Sequence, residues 1–186
     1  MYEEMERTFA EGHKLLICGN GGSAADSLHI VGELMKSFTR PRPIDPDFQK
    51  KLREQCPDEA DFLCGNMEGT LPAIALVENT SLSTALLNDV HDDMSYAQQV
   101  YGLGKEGDML LCISTSGNAK NCLWAAMTAR AKGLRVGLLS GKDGGTIKTT
   151  ADVSVIVPET ETYRIQELHL PIYHALCMML EHRFFA

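Results

Sequence analysis

Two apolar runs in this chain each break off into a loop of glycines and hydroxyls. Leu15-Leu16-Ile17-Cys18 enters Gly19-Asn20-Gly21-Gly22-Ser23, and Met109-Leu110-Leu111-Cys112-Ile113 enters Ser114-Thr115-Ser116-Gly117-Asn118. Runs without polar alternation need cover on both faces, which in one domain means a parallel sheet between layers of helix. Glycines let the backbone turn sharply and approach a ligand closely. A serine at the start of the following helix adds its hydroxyl to the free N–H groups there, which makes an anion seat.

The rest of the chain repeats the alternation. Residues 2–12 read as a short acidic helix, and 23–38 as a second helix ended by Pro41 and Pro43. Residues 44–70 are charged, contain Pro46 and Pro57, and read as one or two short surface helices, an insertion too short to hold its own core. A strand over 72–77, helices over 81–90 and 93–103, the strand 109–114 and a helix over 118–132 follow. Strands over 135–139 and 153–157 and a long helix over 161–184 complete the pattern. The expected architecture is a single α/β domain over 1–186, with five parallel strands flanked by helices. Ligands of such sheets lie beyond the carboxyl ends of the strands, where both loops fall.

The formal charge of −8 over 186 residues argues against nucleic acid as an electrostatic partner. An anionic small ligand remains compatible, because N–H groups and hydroxyls hold phosphate without net positive charge. No apolar run reaches the roughly 18 residues of a membrane span, and Met1-Tyr2-Glu3-Glu4 does not open a signal peptide, so a cytoplasmic protein is expected. Six cysteines form no CxxC pair and read as reduced thiols.

Candidate chemistry sits on two helices. His29 and Glu33 are four residues apart and share a face, as do Gln166, Leu170 and His174 at successive i, i+4 steps. These donors suit either a divalent metal or an acid–base pair, and spacing leaves both open. Asp89 is placed to reach a sugar hydroxyl within a polar cluster, 88–93, that otherwise reads as a solvated helix junction. Gly141-Lys142-Asp143-Gly144-Gly145 reads as a turn.

The segments CGNGGSAADSLHIVGEL, ISTSGNAKN, GLLSGKDGG and RIQELHLPIYH resemble the sugar isomerase (SIS) domain, and most of all the phosphoheptose (sedoheptulose 7-phosphate) isomerases. The resemblance spans the whole length in the family's order, apart from 44–70. It implies a flavodoxin-like parallel sheet, assembled as a homotetramer with active sites between subunits. Ser23, Ser114, Thr115 and Ser116 would then hold the substrate phosphate, and Asn20, Gly21, Gly22, Asp89 and Gln166 complete the candidate substrate-binding set. Glu33 and His174 would be the acid–base pair, and His29, Glu33, Gln166 and His174 the ligands of a Zn2+ ion. The implied reaction moves a proton between C1 and C2 of a phosphorylated sugar through an enediol.

Gln166 and His174 stand about 12 Å apart along a regular helix, too far for one ion about 2 Å from each donor. Either Gln166 lies at a frayed helix start, or the pair divides between sites or subunits. Ser37 stands where the family carries an arginine, Ala119 where it carries a phosphate-binding serine, and Tyr163 where an aspartate precedes Arg-Ile-Gln. The second reading is a non-catalytic SIS module that binds a sugar phosphate and regulates a protein partner. Such relatives lack the glutamate and final histidine, whereas Glu33 and His174 are both present.

Overall fold

The computed structural model describes residues 1–186. In chain order the elements are α1 (Tyr2–Ala10), β1 (Leu15–Gly19), α2 (Gly22–Met35), α3 (Pro46–Gln55), α4 (Ala60–Asn66), β2 (Ala73–Ala75), α5 (Thr80–Asp89) and α6 (Ser95–Leu103). They continue as β3 (Met109–Ser114), α7 (Lys120–Ala131), β4 (Arg135–Ser140), a 3-10 turn (Ile147–Thr149), β5 (Val153–Ile156) and α8 (Thr162–Phe185). All strands pair in parallel, in the order β2-β1-β3-β4-β5. This is the doubly wound, flavodoxin-like order, whose direction reverses between β1 and β3. The two glycine–hydroxyl loops leave the sheet at those adjacent strand ends.

Alternate residues of the strands feed two cores. Leu15, Ile17, Met109, Leu111 and Ile113 pack with Met5, Ile30, Leu34, Tyr173, Cys177 and Leu180, under α1, α2 and α8. Leu16, Cys18, Leu110, Cys112, Val136 and Leu138 pack with Tyr96, Val100, Ala125, Ala126 and Ala129, under α6 and α7. The small residues of α7 let that helix lie close to the sheet. Each fully buried Leu or Ile contributes about 1.5–3 kcal/mol, so the doubly covered strands hold the domain together.

Two expectations need correction. Helix α2 ends at Met35, not at residue 38, and Lys36 is already extended. Prolines 41 and 43 do not stop it. The backbone N–H groups of Ser37, Phe38 and Thr39 are claimed by the carboxylates of Glu68 and Glu181. The strand expected over 72–77 pairs only along Ala73–Ala75, at the sheet edge.

Residues 44–70 form a helical hairpin on a closed base. Gly69 N–H donates to the Arg42 carbonyl at 2.7 Å, and Glu68 accepts from Ser37 N–H at 2.7 Å. Helix α3 buries no residue, and α4 buries only Ala60. No helix is long and apolar enough to cross a membrane.

Candidate functional site

A cavity of about 340 Å³ opens at the reversal point of the sheet. Asn20, Gly21, Gly22, Ser23, Ser114, Thr115, Ser116 and Gln166 all line it, with Ile113, Ala119 and Thr162. The two loops thus share one pocket. None of the lining side chains carries a formal charge.

Helices α2, α7 and α8 begin at this cavity, and none has a side-chain hydrogen bond capping its N-terminus. Their free N–H groups and macrodipoles favour an anion, and the hydroxyls of Ser23, Ser114, Thr115 and Ser116 supply short donors. At Gly22 a Cβ would stand 2.5 Å from Gln166 Nε2, so any side chain there would displace the Gln166 amide from its place at the cavity.

Neighbouring groups stiffen both loops. Asn20 and Asn121 exchange reciprocal amide hydrogen bonds at 2.9 Å, tying the first loop to α7. The third glycine loop braces the second: Gly141 N–H donates to the Thr115 carbonyl, Thr146 N–H to Asn118 Oδ1, and Ile147 N–H to the Gly117 carbonyl. Gly117 has φ +64°, and a Cβ there would fall 1.8 Å from the Gly144 carbonyl oxygen. Residues 141–145 are the turn expected of them, and their work is support.

Helices α2 and α8 run side by side in the same direction, so further along they bring a second set of residues together. His29 Nε2 lies 3.3 Å from Glu33 Oε1, and His29 Nδ1 lies 3.0 Å from the Tyr173 hydroxyl. The His174 ring packs edge-on to His29, with centroids 5.0 Å apart. Tyr173 also donates to Asp26 Oδ1 at 3.4 Å. Burial raises the Asp26 carboxyl above its usual range, against the lowering effect of Tyr173 and His29. Glu33 Oε2 and His174 Nε2 are buried with no hydrogen-bond partner, although Lys36 Nζ forms a longer ion pair with Glu33 Oε2 at 3.7 Å.

Two imidazoles and a carboxylate are suitable donors for a divalent ion such as Zn2+, and the two orphaned atoms fit a group that would bond them. The cluster is open, however. The one trio of His, Asp, Glu or Cys donors drawn within 4.8 Å of one another is the surface set His91, Asp92 and Asp93, in the junction between α5 and α6. Gln166 does not join the cluster within one chain. It lies inside a continuous helix that starts at Thr162, which removes the frayed-end explanation, and it faces the anion cavity.

Asp89 is also apart. It is exposed at the end of α5, pairs with the Asn88 amide, and does not line the cavity. The buried face of α8 is the stripe Ile165, His169, Tyr173, Cys177 and Glu181. His169 is a core residue: burial lowers its pKa, with the Ser140 backbone acting weakly the other way.

A larger hollow of about 640 Å³ lies between the hairpin and the end of α8. Its carboxylates, Asp45 and Glu68, already accept from the Phe48 and Ser37 amides. The N-terminus of α3 opens here, but its N-cap Asp45 already occupies it with a carboxylate, and Glu68 adds a second negative charge that disfavours an anion.

Thr162 was not singled out from the sequence, although it stands four residues before Gln166 and therefore on the same face. Arg42 gave no local signal. It sits between two prolines at the edge of a charged insertion, and its carboxylate partner Glu181 is 139 residues away.

A SIS domain family model matches residues 64–141. The phosphoheptose isomerase of Nitratiruptor sp. is 41% identical over 171 residues, covering 92% of this chain and 78% of that protein. The solved structure of a phosphoheptose isomerase from Neisseria gonorrhoeae superposes with a TM-score of 0.78 at 34% identity, covering 97% of this chain and 83% of that one. One from Francisella tularensis gives 0.79 at 29% identity, with the same coverage.

Proposed function

The chain belongs to the phosphoheptose isomerase family of SIS domains, and from that premise we propose that it interconverts sedoheptulose 7-phosphate and its aldose isomer. The observation that carries the reading is the division of labour along α2 and α8: an uncharged anion cavity at their N-terminal ends, and further on a carboxylate and an imidazole each with a buried atom free of hydrogen bonds.

In this reading the sugar phosphate is held by Ser23, Ser114, Thr115 and Ser116, with the N–H groups of α2, α7 and α8 behind them. Glu33 and His174 form the acid–base pair. One takes the C1 proton of the ketose while the C2 carbonyl oxygen gains one. The enediol so formed accepts a proton at C2 and loses one from O1, which yields the aldose. Glu33 Oε2 and His174 Nε2, both buried without a hydrogen bond, support these roles.

His29, Glu33 and His174 are the residues that would hold a Zn2+ ion, with Gln166 as a fourth donor. When bound, such an ion supplies Lewis-acid stabilisation of the negative charge on the enediolate oxygens. Because Gln166 faces the cavity of its own chain, its amide would reach the other three from another copy. A homotetramer with sites between subunits fits that requirement. Leu28 and Met35 on α2 and Leu170, Met178 and Met179 on α8 leave apolar area exposed for such packing. Six free cysteines suit a reducing cytoplasm.

The test is a panel of C5 to C7 ketose phosphates followed by NMR in deuterated water, with and without added zinc. Conversion of the seven-carbon substrate, with deuterium entering at C1 or C2, is expected. Absence of conversion and of exchange across the panel would refute the reading.

A further inference from the structure

Helix α2 ends without help from its own residues. Its last turn carries no basic side chain, and its terminal carbonyls lack helical partners. Leu71 N–H donates to the Leu34 carbonyl at 2.9 Å, and Arg42, seven residues beyond Met35, folds back to add side-chain donors. Its Nη2 donates to the Glu33 carbonyl and its Nη1 to the Leu34 carbonyl, both at 2.8 Å. Its Nε donates to Glu181 Oε1 on α8, also at 2.8 Å. Both side chains are fully buried, and the guanidinium lies 5.0 Å from the centre of the Phe185 ring.

Glu181 completes the arrangement from the other side. It accepts from Phe38 N–H, from Thr39 N–H and from the Thr39 hydroxyl. One buried ion pair therefore grips the C-terminus of α2, the segment leaving it, and α8.

We propose that Arg42 is a positioning residue of the isomerase site: with Glu181 it fixes the register of α2 against α8, and so the place of Glu33 relative to His174. The proposal rests on the acid–base roles given above. Glu33 is held through its own backbone carbonyl oxygen, on the same residue as its working carboxylate. His174 precedes Glu181 by seven residues, two helical turns on the same element. Each residue of slip in a helix turns its side chains by about 100°, so α2 shifted by one residue carries the Glu33 carboxylate away from α8. The fork geometry matters here. Arginine offers two backbone carbonyls and a carboxylate separate N–H donors in one plane, which a lysine ammonium does not reproduce.

The test compares Arg42→Lys, Arg42→Met and the pair Arg42→Met with Glu181→Leu, by steady-state kinetics and thermal unfolding. Arg42→Met alone leaves a buried carboxylate unpaired and loses stability, whereas the pair removes both charges and keeps apolar volume. Expected in the pair is a folded protein whose kcat is down by about 10- to 100-fold, as misplacement of reacting groups costs. Its KM should stay within about threefold, since the anion cavity lies at the far end of both helices. Arg42→Lys should fall between the pair and the unaltered protein.

A second readout needs no turnover. In protein labelled at the histidine rings, the NMR signals of His29 and His174 should shift in Arg42→Lys, while those of His13 and His91 stay in place. A folded pair, or Arg42→Lys, with unaltered kcat and unshifted His29 and His174 signals would overturn the proposal. If the unaltered protein isomerises no ketose phosphate, the functional reading fails, and the ring signals alone decide whether the clasp sets the register.

Discussion

At their N-terminal ends α2 and α8 present Gly22, Ser23, Thr162 and Gln166 to a cavity without formal charge. Two to three turns further the same helices carry His29, Glu33 and His174, and beyond these Glu181, with Arg42 across their ends. The contrast follows from helix electrostatics. An N-terminus already attracts anions through its dipole and its free N–H groups, so a phosphate needs no lysine there. A C-terminus exposes carbonyls and favours a cation, which Arg42 provides. A chain of net charge −8 can therefore seat a dianion at one end of a helix pair while concentrating ionisable groups at the other.

The difference between the two ends can be broken from either side. The largest effect is expected at the charged end. Glu33→Gln or His174→Gln should lower turnover by about a thousandfold or more, within the range of lost acid–base catalysis. Calorimetric affinity for inorganic phosphate should change little, because the cavity is untouched. Parallel losses of turnover and phosphate affinity would mean that the two ends are not separable.

Next comes acid stability. Burial by itself would raise the Glu181 carboxyl, but the hydrogen bonds from Thr39, Phe38 and Arg42 outweigh it and bring the pKa from 4.5 down to about 2. A folded value below the unfolded one means a contribution fully present above pH 4.5 and lost as pH falls toward 2. For this fully buried group it amounts to about 3 kcal/mol. Urea unfolding between pH 5 and pH 3 should show this decline, and Glu181→Gln, less stable at pH 7, should show a flatter one.

At the uncharged end the effect is smaller. Ser116→Ala removes one hydroxyl from the cradle and should raise KM about tenfold or somewhat more, the worth of one hydrogen bond to a charged ligand, with kcat nearly unchanged. A fall in kcat of the same size would assign Ser116 to the reacting carbons instead of the phosphate.

The smallest effect is expected from shortening the hairpin. Replacing residues 46–66 by a short glycine linker should alter thermal stability by about 1 kcal/mol or less, because α3 buries nothing and the base is closed by the Gly69–Arg42 hydrogen bond. Unchanged substrate preference in that variant would show that the hairpin does not shape the site. A large loss of stability would mean that the hairpin supports the Arg42 clasp.

Strands β1, β3 and β4 are legible in the sequence to within a residue, because an apolar run bounded by glycines and hydroxyls is a local signal. The anion cradle is legible for the same reason: each of its loops follows directly from the strand it ends. Gln166 lines the cradle and His174 joins His29, a division that helix rise alone anticipates for residues eight apart.

Other features were decided only by tertiary structure. The end of α2 depends on Arg42, Glu68 and Glu181, which arrive from another loop and from the last helix. Asp89 stays in solvent because the placement of α5 on the surface, not its residue type, determines what it can reach. A strand or a loop is specified by neighbours along the chain. The register of one helix against another is set by hydrogen bonds between residues more than a hundred positions apart, and no local pattern encodes which of them will meet.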